Sequence, residues 1–257
     1  MPNTALITGA SAGIGAAFAR YHAAQKGDLI LVARRKDALD ALKAELEAAH
    51  GITVHTIAQD LGVADGPEAL ISAVAGLGVE VNVLINNAGF GGHGKHIDRD
   101  LADEQAMIDL NVKALVALSH AFGGKMAAQG GGRILQVGST AGFMPGPLQA
   151  VYFATKAFVN SFSQALDHEL RDQGVTCTVL APGYVETEFA DRADLDGTDL
   201  VKDGATAASV AKHGYDAMMA GKLVTVNETR LSILTQWIIP LLPRRSVLKM
   251  VEKMQSK

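Results

Sequence analysis

Tyr152-Phe153-Ala154-Thr155-Lys156 places a phenol and an ammonium four residues apart in a stretch with helical spacing. Positions i and i+4 share one helix face, so both side chains can enter one cleft. A free tyrosine, with a pKa of about 10, is a poor acid–base group at neutral pH. A cation about 4 Å away, at an effective dielectric of about 20, is worth about 4 kcal/mol. That would lower the phenol's pKa by up to about three pH units, into the range where it can give or take a proton. Ser139 follows an apolar run in Val137-Gly138-Ser139-Thr140, at the C-terminal end of an expected strand. Ligands of doubly wound sheets bind at such ends, and the hydroxyl can donate to a carbonyl oxygen beside the phenol. Taken singly, the Tyr/Lys pair also fits an exposed helix face, and Ser139 a loop serine that satisfies backbone.

A second constellation is Thr8-Gly9-Ala10-Ser11-Ala12-Gly13-Ile14-Gly15, between the first apolar run and the first helical stretch. Glycines let the backbone approach a pyrophosphate, and the helix N-terminus behind them offers N–H groups and partial positive charge. The spacing is G-x-x-x-G-x-G, and glycines also serve tight turns. The position at the first β–α junction is what favours a dinucleotide. The second apolar run ends in Ala33-Arg34-Arg35-Lys36, with Arg34 nineteen residues beyond Gly15. An acidic residue there would accept from a ribose 2′-OH, whereas an arginine fork suits a 2′-phosphate. Ser11 can add a hydroxyl to the same phosphate, so NADP(H) is the expected cofactor. The other reading, a solvated basic helix start, works against the helix dipole.

These groups need a scaffold, and apolar periodicity supplies one. Short runs at 5–8, 28–33, 53–58, 81–85, 133–137, 175–181 and 223–226 alternate with helical stretches at 14–26, 36–50, 65–76, 101–129 and 152–173. The fold class predicted is α/β, a Rossmann-type doubly wound seven-stranded parallel sheet flanked by helices on both faces. The stretch 101–129 is expected to break near Asn111. No Pro/Ser linker divides the 257 residues, so one domain over 1–257 is expected, with a helical extension over 228–257. A formal net charge of −4 argues against a nucleic-acid footprint. The single cysteine, Cys177, sits in an apolar run and reads as a buried inert thiol, so a reducing, cytoplasmic compartment is expected. The start does not read as a secretory signal, and no apolar run reaches about 18 residues.

The ordered set of residues 8–15, Asp60, Asn86-Asn87-Ala88-Gly89, Asn111, Ser139, Tyr152/Lys156 and Pro182-Gly183 with Thr187 resembles the short-chain dehydrogenase/reductase family, from about residue 4 to 190. The resemblance implies hydride transfer between NADP(H) and a ketone, aldehyde or secondary alcohol. Tyr152 would protonate the nascent alkoxide, Lys156 would hold the nicotinamide ribose, Ser139 would orient the carbonyl, and Asn111 would hold a water of the proton relay. The implied cofactor contacts are Gly9, Ser11, Gly13, Ile14, Gly15, Arg34, Arg35, Asp60, Leu61, Asn87, Ala88, Gly89, Tyr152, Lys156, Pro182, Gly183, Val185 and Thr187. Arg34 also matches the NADP-preferring branch.

The substrate side is less legible. Residues 188–205, rich in Asp and Gly, are expected to form a mobile lid. Phe90, Phe143, Met144, Tyr184 and Phe189 point to an apolar substrate, such as a ketoacyl, steroid-like or small hydrophobic carbonyl compound, although each also fits core packing. His93 and His96 lack a carboxylate or Cys cluster at ligand spacing, so no metal is expected. The extension carries Leu231, Ile233, Leu234, Trp237, Ile238, Ile239, Leu241 and Leu242, then Pro243-Arg244-Arg245 and a last helix at 246–254. Packing on the body, the pocket mouth or a partner subunit is the favoured reading, and a membrane surface the alternative. The extension would block the family's frequent tetramer contact and leave 102–129 and 152–173 free for a dimer, so a homodimer or homotetramer is expected. The alternatives to a soluble reductase are a catalytically silent NADP-binding regulator and a membrane-peripheral reductase of lipid-linked ketones.

Overall fold

A computed structural model describes residues 3–201 and 204–257. The apolar runs become strands β1 (Thr4–Thr8), β2 (Asp28–Ala33), β3 (Val54–Ala58), β4 (Val83–Asn86), β5 (Gly132–Val137), β6 (Val175–Leu180) and, after two short strands described below, β9 (Val224–Thr225). They form one seven-stranded parallel sheet in the order β3-β2-β1-β4-β5-β6-β9. The expected fold class and strand number hold. Edges moved by one or two residues, and the last strand pairs over only two.

Strand side chains alternate faces with period two. In β1, Ala5 and Ile7 enter one cluster and Leu6 the other; in β2, Leu29 and Leu31 oppose Ile30 and Val32. Both faces are therefore buried. Helices α1 (Gly13–Ala24), α2 (Lys36–His50) and α8 (Ala207–Met219) cover the first cluster. Helices α3 (Gly66–Gly76) and α5 (Leu115–Ala128) cover the second. Cys177 lies inside that second cluster, and burial raises its thiol to about 12. The inert reading of this thiol fits both facts.

The break near Asn111 is a π-helical stretch, Asp109–Ala114, between α4 (Leu101–Ile108) and α5. Such bulges often mark functional sites because they re-aim one side chain. Helix α6 (Ala150–Leu170) carries Tyr152 and Lys156. Beyond β6, a small parallel pair that the sequence pattern does not reveal, β7 (Val185–Glu186) and β8 (Ala205–Thr206), ties the ends of the substrate-side segment together. Between them lies α7 (Phe189–Arg192); residues 202 and 203 of the expected lid lie outside the described residues.

The extension folds back on the body. Helix α9 (Thr229–Ile233) runs through a π-helical turn, Leu234–Ile238, and a 3-10 turn, Ile239–Leu241, before α10 (Arg244–Gln255). Ile239, Val247 and Val251 share a buried cluster with Phe153, against which Ala141, Met144 and Tyr152 pack.

Phe18 of α1 is fully buried, and α8 approaches so closely that a Cβ on Gly214 would lie 3.3 Å from its ring. Phe18→Ala is expected to cost about 3–5 kcal/mol, because a large aromatic leaves a cavity that rigid neighbours cannot refill. Urea unfolding of the two proteins measures it.

Candidate active site

Strands β1 and β4 are neighbours, yet the chain leaves them toward opposite edges of the sheet. That is a topological switch point, where doubly wound sheets open a crevice. Thr8, at the end of β1, accepts the backbone N–H of Asn87 and of Ala88 on its hydroxyl, both at 3.0 Å. The Asn87 amide donates back to the carbonyls of Thr8 (2.9 Å) and Gly9 (3.3 Å). Asn87, expected near the ribose, thus spends its amide stapling the glycine turn to β4. Gly9 has φ +66°, and a Cβ on Gly15 would stand 2.3 Å from the Gly9 carbonyl oxygen. Only glycine allows both. Behind the turn, α1 begins with no side-chain cap and no acidic residue in its first turn. Uncapped N–H groups and the dipole make an anion site there. The residues present fit a dinucleotide pyrophosphate.

Arg34 reaches Asp60 at 3.8 Å, with both side chains largely exposed. Such a pair is worth little and opens readily for a competing phosphate. Arg35, also exposed, bridges two other partners: it donates to Ser11 Oγ at 3.3 Å and pairs with Glu188 at 3.1 Å. The Asp60 carboxylate also accepts the Gly62 N–H at 2.9 Å, while Leu61 is buried. Glu188 was not foreseen, because an ion pair across 153 residues leaves no local pattern.

Ser139 begins a 3-10 turn, Thr140–Phe143, and accepts the Ala141 N–H at 3.1 Å. Its hydroxyl also faces the Tyr152 phenol, whose pKa it pulls down. Lys156 donates to the Val137 carbonyl at 2.8 Å, and its Nζ lies 5.8 Å from the Tyr152 ring centroid. Ser139, Tyr152 and Lys156 therefore share one wall between β5 and α6. Asn160, one turn beyond Lys156, donates to the Ser139 carbonyl at 3.0 Å. The spacing 152, 156, 160 puts all three on one helix face, a signal present in the sequence.

Asn111 exchanges two hydrogen bonds with Phe90, at 2.9 and 3.1 Å, and donates to Thr155 Oγ1 at 3.2 Å. It is 2% exposed, so its amide is committed to fixing the strand-end loop against α6. A Cβ on Gly89 would lie 2.9 Å from its oxygen, which places Gly89 and Lys156 in the same crevice.

Lys156 was to depress the phenol's pKa; instead burial raises Tyr152 to about 12, opposed by the Ser139 hydrogen bond. Burial lowers Lys156 itself to about 8. Removal from water moves the two pKa values in opposite directions, because desolvation penalises each charged form separately.

The other wall comes from the segment after β6. The Pro182 carbonyl accepts from the Thr140 N–H at 3.0 Å, and a Cβ on Gly183 would meet Leu231 of α9 at 2.6 Å. Val185 is buried in β7. Thr187 roofs the glycine turn: a Cβ on Gly13 would lie 3.1 Å from its methyl. Phe189 of α7 stands 5.4 Å from the Tyr152 ring, centroid to centroid. His93 bonds the Gln255 carbonyl at 2.7 Å and His96 bonds Glu104 at 3.0 Å, so the two serve separate loops. Among the described residues no cluster could hold a metal.

The short-chain dehydrogenase family model matches residues 3–196. The chain belongs to the short-chain dehydrogenase family. A sulfoacetaldehyde reductase of Chromohalobacter salexigens is 40% identical over 214 residues, 80% of this chain and 83% of that protein. The NADPH complex of a short-chain dehydrogenase from Sphingobium yanoikuyae superposes with a TM-score of 0.83 at 31% identity, covering 95% of this chain and 97% of that one. A bulky-bulky ketone specific alcohol dehydrogenase from Comamonas testosteroni superposes with a TM-score of 0.78 at 27% identity, covering 95% and 96%. This short-chain dehydrogenase is an oxidoreductase acting on alcohol or carbonyl groups, and solved relatives carry NADPH.

The buried ammonium has a pH signature. Lys156 binds its proton less tightly when folded, at about 8 against 10.5, so stability rises as pH climbs through that window. Tyr152 acts in the opposite sense, losing stability only from about 10 to about 12. Between pH 8 and 10 the wild type should therefore gain up to a few kcal/mol relative to Lys156→Met, read by urea unfolding at each pH. A constant difference would rule out the buried charge.

Proposed function

We propose that this chain is an NADPH-dependent reductase of ketones or aldehydes, acting as one domain in a cytoplasmic compartment, with residues 228–257 as its helical extension. The observation that carries the reading is the shared wall of Ser139, Tyr152 and Lys156 beside an uncapped, glycine-lined helix N-terminus. NADPH would supply the hydride. Gly9, Gly13, Gly15 and the start of α1 would bind its pyrophosphate, Arg34 its 2′-phosphate, and Lys156 its nicotinamide ribose.

The Ser139 hydroxyl orients the substrate carbonyl. As negative charge builds on its oxygen, the Tyr152 hydroxyl gives up its proton to that oxygen. Burial suits this direction: it keeps the phenol protonated, and transfer to an alkoxide, a far stronger base than a phenolate, is still downhill. Lys156 then stabilises the phenolate. Asn111 and Asn160 hold the loops that position these groups and keep water out. Phe189, Met144 and Tyr184 favour an apolar carbonyl compound over a charged one.

A homo-oligomer is part of this proposal. A shallow apolar groove of about 420 Å³ between α4 and α6, lined by Ile108, Val112, Ala154 and Phe158, suits a second copy. Exposed Ile97 and Leu101 belong to the same part of the chain.

Tyr152→Phe should lower turnover of a carbonyl panel by ~10²–10⁴-fold, read as NADPH absorbance, while NADPH binding persists. Unchanged turnover would remove the proton donor. Arg34→Asp should weaken NADPH binding by ~10–100-fold and leave NADH nearly unaffected, measured by fluorescence titration. Equal losses for both cofactors would place the phosphate elsewhere.

A further inference from the structure

The extension is apolar on two opposite faces. Along 229–242 the inward stripe is Leu231, Thr235 and Ile239, spaced four apart; Thr235 and Ile239 are only 1% exposed. Residues two positions on, Ile233, Trp237 and Leu241, point the opposite way on a helix. They are 51%, 73% and 85% exposed, with Leu234 and Ile238 beside them. A surface helix normally turns polar residues outward. A contiguous outward apolar strip of this kind marks an interaction surface.

Helix α10 repeats the geometry with different chemistry. Val247, Val251 and Gln255 are buried, and the opposite stripe is Arg245, Lys249 and Lys253. Ile239, Val247 and Val251 meet in one cluster, so both outward faces look away from the same part of the body. Arg230 and Arg244 add to this cationic border. None of these five side chains forms an ion pair or side-chain hydrogen bond among the described residues. Residues 228–257 hold six Lys or Arg and two Glu, in a chain whose formal net charge is −4. The positive charge is thus concentrated in the same stretch of chain that carries the exposed apolar strip.

We propose that this face docks on an anionic lipid bilayer, with Ile233, Trp237, Ile238 and Leu241 entering the headgroup–acyl boundary and the Arg/Lys border contacting lipid phosphates. No helix among the described residues is long and apolar enough to cross a membrane, so the contact is peripheral. Apolar insertion with aromatic and cationic flanks is the chemistry of interfacial helices. Basic residues near such a surface add electrostatic attraction to anionic lipid, which salt screens. A second copy of the chain fits less well. A two-fold contact through the strip brings together two copies of the same basic-rimmed face, with no complementary negative charge on either side. Ile239 of the inward stripe shares a cluster with Phe153, against which Tyr152 packs, so docking would bring the wall of the catalytic crevice toward the bilayer.

Trp237 is the only tryptophan in the chain, so its emission reports this face alone. Full-length protein is mixed with vesicles of phosphatidylcholine alone or with phosphatidylglycerol added, at low and high salt. Emission is followed together with co-sedimentation. The expected result is a blue shift, several-fold protection from an aqueous quencher, and pelleting with the anionic vesicles only. High salt weakens it. Trp237→Glu/Leu241→Glu abolishes pelleting, and Arg244→Glu/Arg245→Glu reduces it several-fold, with circular dichroism unchanged in both. Wild type that stays in the supernatant with an unshifted spectrum overturns the proposal. So does equal pelleting by the Trp237→Glu/Leu241→Glu protein. Light scattering that shows this variant splitting a wild-type oligomer, with no vesicle binding, assigns the face to a second copy and also overturns it.

Discussion

The constraint behind the active-site wall is an ammonium taken out of water. Lys156 has only 7% of its surface exposed and reaches the Val137 carbonyl at 2.8 Å. An unpaired buried charge costs several kcal/mol, so its surroundings must be arranged around it. Here that means the last residue of β5 and the first turns of α6 stay in register. Ser139 follows Val137 by two residues, and Tyr152 precedes Lys156 by one helical turn. Fixing the lysine against the strand end thus also fixes the hydroxyl and the phenol. Asn160 repeats the link one turn further on, through the Ser139 carbonyl. Chemistry and packing use the same few bonds.

The glycine turn is held in a comparable way. Thr8 and Asn87 exchange bonds across β1 and β4, so the cradle is preformed by the sheet rather than shaped by what enters it. The segment after β6 then closes over both regions. Thr187 lies over the turn, Phe189 stands beside Tyr152, and Glu188 draws Arg35 across the cleft. The C-terminal residues add braces: Lys257 pairs with Asp194 of that segment, and Gln255 bonds Gln149 at the start of α6 and His93 of the loop after β4. Preorganisation of this kind lowers the cost of orienting a substrate.

Local pattern made much of this readable. Helix α2 runs over the same residues, 36–50, that its apolar spacing marks, because Leu39, Leu42 and Leu46 form one buried stripe. The π-helical stretch at Asn111 falls where the helical stretch was expected to break. Less legible were contacts between distant residues. Nothing near Arg35 in the chain announces Glu188, and nothing in 229–242 says which apolar residues turn inward. Both depend on where two surfaces meet after folding.

The sequence by itself determined the parallel sheet, the glycine turn, the phenol and ammonium on one helix face, and the charge available for a phosphate. These follow from periodicity and spacing, which are properties of neighbours in the chain. Tertiary structure alone decided three things. It buried Tyr152 and Lys156, which raises the pKa of the phenol and lowers that of the ammonium. It committed the Asn87 and Asn111 amides to holding backbone. It left one face of the extension uncovered, because Ile239, Val247 and Val251 found the body first and Trp237 and Leu241 did not.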